Sequence, residues 1–222
     1  MNNSIILEKK INLLYSPFYF FVAFCSLSFI ITFLTNKLII TEDLIYNSFA
    51  EQLTSQRIER IIATRLKFDW ISYILSPIFI FLKFVIIAIV LNIGDILKDY
   101  KIGFKNLFQA AMIAETIFFI PKLIKLFWFL FFYEAQTMQE FGDFNFLSLL
   151  SMFNKDEIYP WLIYPFSLAN IFELIYWLFL AFLISKFSKL DYNKSLGLVL
   201  STYFVALIVW LVFVMFISLN IS

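Results

Sequence analysis

The residues able to do chemistry in this sequence are few, and they stand where charge is least expected. Lys83, Glu115, Lys122 and Glu173 interrupt long apolar runs, and Asn170 lies three residues before Glu173. A charge at the centre of a bilayer costs about 2.5–3.5 kcal/mol on insertion scales, so each needs a partner, a cavity or an interface. Lys83 and Glu115 form the obvious pair: on antiparallel neighbouring helices they reach similar depth. Lys122 follows Glu115 by seven residues, nearly two turns along one helix face, with Lys125 one turn further and Pro121 immediately before it. Asn170 and Glu173 share a face of a later helix. Such a set serves either as hydrogen-bonded ties between helices or as the lining of an ion, proton or substrate pathway.

The residue types that are missing exclude much else. The chain has no His and one Cys, Cys25, which sits in an apolar run and reads as a small buried hydrophobe. Without His there is no Ser-His-Asp triad, Cys-His dyad or His-built metal site. A single Cys forms no disulfide within the chain. The expectation is therefore a non-enzyme with no catalytic, cofactor-binding or metal-binding residues and no cofactor. A carboxylate site built from Glu115 and Glu173 in a lipid-modifying enzyme is the weakest alternative, because two isolated acids are thin evidence for catalysis. The formal net charge of +1 offers no basic face for nucleic acid. Four Gly give no filter-like loop, and the intramembrane charges are too scattered for a voltage sensor.

The elements that must position these residues follow from composition. Of 222 residues, 62% are hydrophobic and only 15% charged, against roughly 45–50% and a quarter in soluble domains. The excess apolar surface needs lipid as its solvent. We read an all-α, polytopic integral membrane protein forming one domain over residues 1–222. Five stretches supply the roughly 20 apolar helical residues that cross a bilayer, at about 17–34, 70–91, 107–132, 161–184 and 196–219. Between the first two, Thr41–Leu66 reads as an amphipathic helix at the interface, bent or in two halves: Thr41 is an N-cap, and the stripes Ile45, Phe49, Leu53 and Ile58, Ile61, Ile62, Leu66 are offset. The apolar stretch Phe144–Phe153 is too short to cross and reads as a second interfacial helix or a re-entrant piece.

Lysine placement sets orientation. Lys9 and Lys10, then Lys98, Lys101 and Lys105, then Lys186, Lys189 and Lys194 share one side of a five-span chain, which puts the N-terminus in the cytoplasm and the C-terminus outside. The loop between the third and fourth spans is acidic, with Glu134, Glu140, Asp143, Asp156 and Glu157 against Lys155. Lys37, Arg57, Arg60, Arg65 and Lys67 oppose the rule, and an even number of spans is the competing topology. The abundance of Phe, Ile, Asn and Lys suggests an AT-rich bacterial genome, hence a bacterial inner membrane.

From Lys98 onward the order of features resembles the YIP family of Rab-GTPase-interacting-type membrane proteins, in its bacterial branch. The resemblance rests on Lys101-Ile-Gly-Phe-Lys-Asn-Leu-Phe-Gln-Ala-Ala, Phe119-Ile-Pro121, Phe146-Leu-Ser-Leu-Leu, Asn170-Ile-Phe-Glu173 with Trp177, and Ile184-Ser-Lys-Phe-Ser-Lys189 with Lys194-Ser-Leu. It implies about five spans, a cytoplasmic N-terminus and action by binding other proteins. The brief N-terminal tail and the Thr41–Leu66 insertion depart from the family and put recruitment of a GTPase in doubt. The expected function is a membrane-organising or accessory subunit whose partners are membrane lipids and other membrane proteins. The alternative is a small transporter or channel-like protein with an intramembrane charged pathway.

Overall fold

The computed structural model describes residues 17–154 and 157–221. Lys9, Lys10, Lys155 and Asp156, which entered the orientation argument, lie outside them. Ten α-helices follow in order among the described residues: α1 (Pro17–Leu38), α2 (Glu42–Phe49), α3 (Ser55–Lys98), α4 (Phe104–Ala114), α5 (Phe119–Phe131), α6 (Met138–Asp143), α7 (Pro160–Leu168), α8 (Ile171–Ser188), α9 (Tyr192–Val199) and α10 (Val205–Ile221). Among the described residues there is no strand, only one antiparallel bridge between Ser148 and Asn170. Five helical stretches are long and apolar enough to cross a membrane: α1, α3, α4 with α5, α8, and α9 with α10. The chain is an all-α polytopic membrane protein.

Two expected boundaries differ. The 41–66 segment breaks at Ala50–Thr54: α2 is a separate short helix capped by Thr41, and the residues from Ser55 belong to α3, which runs on through the second span. Nothing between Ile58 and Trp70 interrupts α-helical hydrogen bonding, so the helix simply continues into the apolar run. At 44 residues α3 is about 66 Å long, more than twice a bilayer core. The 161–184 stretch instead divides at Ala169–Asn170 into α7 and α8.

Six lysines, Lys98, Lys101, Lys105, Lys186, Lys189 and Lys194, mark one end of the bundle, here termed the lysine end. Its core is tight. Leu91, Leu107, Ala110, Ala111, Ala114, Leu180, Ala181 and Leu198 are fully buried where α3, α4, α8 and α9 meet. Small side chains allow that approach, as expected in lipid, where van der Waals packing and not hydrophobicity holds helices together. Gly94 marks the tightest crossing: a Cβ there would lie 2.2 Å from Thr202 Cγ2 and 2.7 Å from Leu198 Cδ1. Asp95 is buried one residue on, and its carboxylate accepts hydrogen bonds from the backbone N–H groups of Ile102 (3.0 Å) and Gly103 (3.0 Å). That clamp folds the short turn from α3 to α4, in which Asp99 and Lys101 take left-handed backbone conformations. Lys98 closes the same end by donating to the Gly197 carbonyl and to Ser201 Oγ.

Toward the opposite, acidic end the packing turns aromatic. Phe24 of α1 meets Phe84 of α3 edge-on at 5.2 Å and Phe119 of α5 at 4.5 Å. Beyond them Phe129, Phe141 and Phe144 cluster under the outer loop. There Thr137 caps α6, and Ser48 of α2 accepts a hydrogen bond from the Met138 N–H, so the two short helices form one cap. Arg65 donates to the Ile40 carbonyl and ties α3 to the end of α1.

A candidate intramembrane site at the level of the helix breaks

Counting helical rise from the lysine end places the polar side chains at one depth. Lys83 stands 15 residues before Lys98, Glu115 11 after Phe104, Glu173 15 before Ser188 and Tyr203 11 after Tyr192, which is about 16–22 Å in each case. The last stretch then continues about 27 Å past Tyr203, so this level is well inside the bundle.

At that level three of the spanning stretches lose regular α geometry. Glu115–Phe118 is a 3₁₀ turn between α4 and α5. Its cause is Pro121, which has no N–H to give Ile117 and whose ring crowds that carbonyl, so the preceding turn tightens. Leu200–Phe204 is a π turn between α9 and α10. The third irregularity is the gap between α7 and α8, and one side chain accounts for it. Asn170 Oδ1 accepts from the Glu173 N–H at 2.9 Å and caps α8, while Asn170 Nδ2 donates to the carbonyls of Ser167 and Leu168 at the end of α7. The backbone at the gap is completed from outside: Leu149 N–H donates to the Ala169 carbonyl and Ile171 N–H to the Leu147 carbonyl. The Phe144–Phe153 stretch thus supplies the partners a broken helix needs where water is scarce, as re-entrant segments do. Irregular backbone at membrane depth is found where it lines a cavity or a binding site.

A cavity of about 450 Å³ occupies this level between α1, α3, α5, α7 and α8. Lys83, Glu115, Lys122, Asn170 and Glu173, the five polar residues singled out in the sequence, all contribute to its wall. Lys83 Nζ meets Glu115 Oε2 at 2.6 Å. The pair is lopsided: the Glu115 side chain is 5% exposed and that of Lys83 is 54%. Lys83 Nζ also stands 5.0 Å from the centre of the Phe118 ring. Glu115 Oε1 and the hydroxyl of Tyr176 are both buried and interact with each other, without a hydrogen bond of regular geometry to any partner. Glu173 is also buried, and its Oε1 accepts from Trp177 Nε1 (2.9 Å) and from the Tyr203 hydroxyl (3.0 Å). Lys122 is exposed at the cavity wall, 5.8 Å from the Phe119 ring centre, with no carboxylate oxygen within 4 Å among the described residues.

The structure therefore gathers two ammonium groups and two carboxylates in one chamber, with Glu115 and Glu173 buried and held by protein donors and Lys83 and Lys122 more exposed. Sequence reading missed Tyr176, Tyr203 and Asp95. Tyr203 is the informative omission, because it lies in the charge-free fifth span and only the fold sets it against Glu173. Asp95, just past the expected end of the second span, is a structural clamp remote from the chamber. Among the described residues no group of three or more His, Cys, Asp or Glu side chains is disposed to hold a metal ion. No protein-family model, curated protein or solved structure matches the chain, and the assignment it can be given from fold and composition is that of an integral membrane protein with five candidate spans.

Proposed function

We propose that this protein binds a polar or charged ligand in the mid-membrane chamber and works as a small transporter or channel-like protein, the alternative drawn from its sequence. The observation that carries this reading is the asymmetry of the Lys83–Glu115 pair. An interhelical tie buries both partners away from lipid and solvent, whereas about half of the Lys83 side chain stays exposed and the residue lines a chamber that Lys122 also lines. An ammonium in that position is stable only beside water or a ligand. The chamber volume falls within the roughly 300–1,000 Å³ common for small-ligand sites.

Cysteine accessibility tests it. Ser167→Cys, in a Cys25→Ala background, sets a thiol on the chamber wall. In sealed vesicles a membrane-impermeant anionic thiosulfonate should modify that thiol from one side and leave the Cys25→Ala parent unmodified. A thiol that stays unreactive from both sides would mean a closed structural tie and would overturn the reading.

A second reading, the membrane-organising or accessory subunit suggested by the resemblance to the YIP family, draws on a different feature. The first part of α3, with Arg57, Glu59 and Arg60 exposed, reaches beyond any bilayer and carries α2 packed at the buried Ile58. That projection suits a protein partner. Under either reading the lysine end faces the cytoplasm by the positive-inside rule, and a bacterial inner membrane fits the composition.

A further inference from the structure

Beside the chamber lies a second cavity of about 590 Å³ between the Phe144–Phe153 stretch, α7, α8 and α10, lined by Leu147, Leu174, Leu207, Ile208 and Leu211. The two cavities share Leu168, Asn170 and Glu173 as a common wall at the helix break. Glu173 stands between them, held by Trp177 on the groove side and by Tyr203 on the chamber side. We infer that chamber and groove form one bipartite site for a phospholipid-type amphiphile, its phosphate against Lys122 and Lys83 and its acyl chain in the groove.

This inference rests on the proposed chamber reading and adds the ligand class. Charge decides the head group. Glu115 Oε2 is taken by the Lys83 ammonium and Glu173 Oε1 by two neutral donors, whereas Lys122, exposed at the chamber wall, has no carboxylate oxygen within 4 Å among the described residues. Phosphate complements it as a compact anion that a lysine reads as a point charge. The buried Glu115 Oε1 still has acceptor capacity, which suits a hydroxyl or ammonium donor on the same head. Surface chemistry decides the tail: a soluble phosphate would leave the leucine-lined groove without an occupant, whereas an acyl chain covers it. An ordinary boundary lipid is a different arrangement. It would lay its chain in the groove and keep its phosphate at the interface, about 15 Å from the bilayer centre, away from Lys83 and Glu115.

Purified full-length protein in nonionic micelles tests this with three probes: lysophosphatidic acid carrying a fluorescent acyl chain, hexadecanol carrying the same fluorophore, and glycerol 3-phosphate. Lysophosphatidic acid should bind saturably, at least tenfold tighter than either of the others, and should slow thiosulfonate labelling of Ser167→Cys. Lys122→Gln should weaken it about tenfold, Lys122→Arg should retain it, and the groove-filling Leu174→Trp should weaken it as well. Equal binding of hexadecanol, or no response to Lys122→Gln, would reduce the groove to a boundary-lipid site and overturn the inference. Glycerol 3-phosphate binding as tightly as the lipid, with no effect of Leu174→Trp, would overturn it in favour of a soluble anion. Failure of every probe while Ser167→Cys remains reactive sinks the amphiphile and spares the chamber; loss of that reactivity in vesicles removes both.

Discussion

The lysine end and the level of the helix breaks are built from the same kind of chain by opposite means. At the lysine end, α3, α4, α8 and α9 approach through Gly94, Ala110, Ala111 and Ala181, and the one buried charge, Asp95, is saturated by backbone donors. One to three turns further along the same helices the side chains are large, the backbone turns to 3₁₀ or π geometry or stops, and buried polar atoms on Glu115 and Tyr176 are left incomplete. A close-packed half resists rearrangement. A half with cavities and broken hydrogen-bond ladders has room for a ligand and for movement. The comparison teaches that rigidity and binding capacity are segregated along the helix axes, so that one end can serve as a base against which the other works.

The sharpest way to break that comparison is at the base. Asp95→Ala leaves the buried Ile102 N–H without an acceptor and frees the α3–α4 turn, and should cost about 3 kcal/mol, read as a fall in the thermal midpoint of the micellar protein with all tryptophans reporting together. A local change confined to the lysine end would show that the base is not the cooperative unit. Gly94→Ala comes next. Its methyl would push Thr202, a branched side chain with little freedom to move, and overpacking of this kind costs about 2 kcal/mol; an unchanged midpoint would mean that α3 and α9 are more loosely joined than their distances imply.

At the break the expected effect is smaller and of another kind. Asn170→Ala removes a cap worth about 1 kcal/mol and also uncovers the last carbonyls of α7. It should lower the midpoint less than either base substitution while raising the labelling rate of Ser167→Cys; the reverse order would erase the distinction between the halves. The smallest effect belongs to the outer cap. Tyr133 donates to Glu140 Oε2, and this hydrogen bond and the carboxylate's charge hold the phenol above the ordinary tyrosine range near 10. With the folded value raised, the contribution is present below the ordinary range and is lost as pH rises through the raised value. Glu140→Gln should therefore bring one phenolate into the ordinary range of an absorbance titration, with only a slight fall in the thermal midpoint at neutral pH because the pair is exposed.

Much of the fold was legible because membrane crossing is a one-dimensional property: length and hydropathy of a run suffice, and the spans over α1, α4 with α5, and α9 with α10 could be read that way. Lys83 and Glu115 could be paired because charges in apolar runs have few alternatives. The division of the fourth span at Asn170 was less visible. Pro165 lies five residues earlier and inside α7, and the break is specified by a side chain that caps in both directions together with backbone partners from Leu147 and Leu149, more than 20 residues away in sequence. The continuation of α3 through Ser55–Trp70 was hidden for the opposite reason: polar composition resembles an interfacial helix whether or not the backbone turns.

The sequence alone determined the solvent of this protein, because no arrangement of a chain 62% hydrophobic can bury that surface against itself, and it determined which side chains would be expensive in lipid. Tertiary structure decided what those side chains do. Whether Lys83, Glu115, Lys122, Asn170 and Glu173 were separate ties or one chamber depended on the relative depth and rotation of five helical stretches, and those are set by Gly94, by the alanines of the core and by Asp95, through contacts between residues distant in sequence that no local pattern encodes.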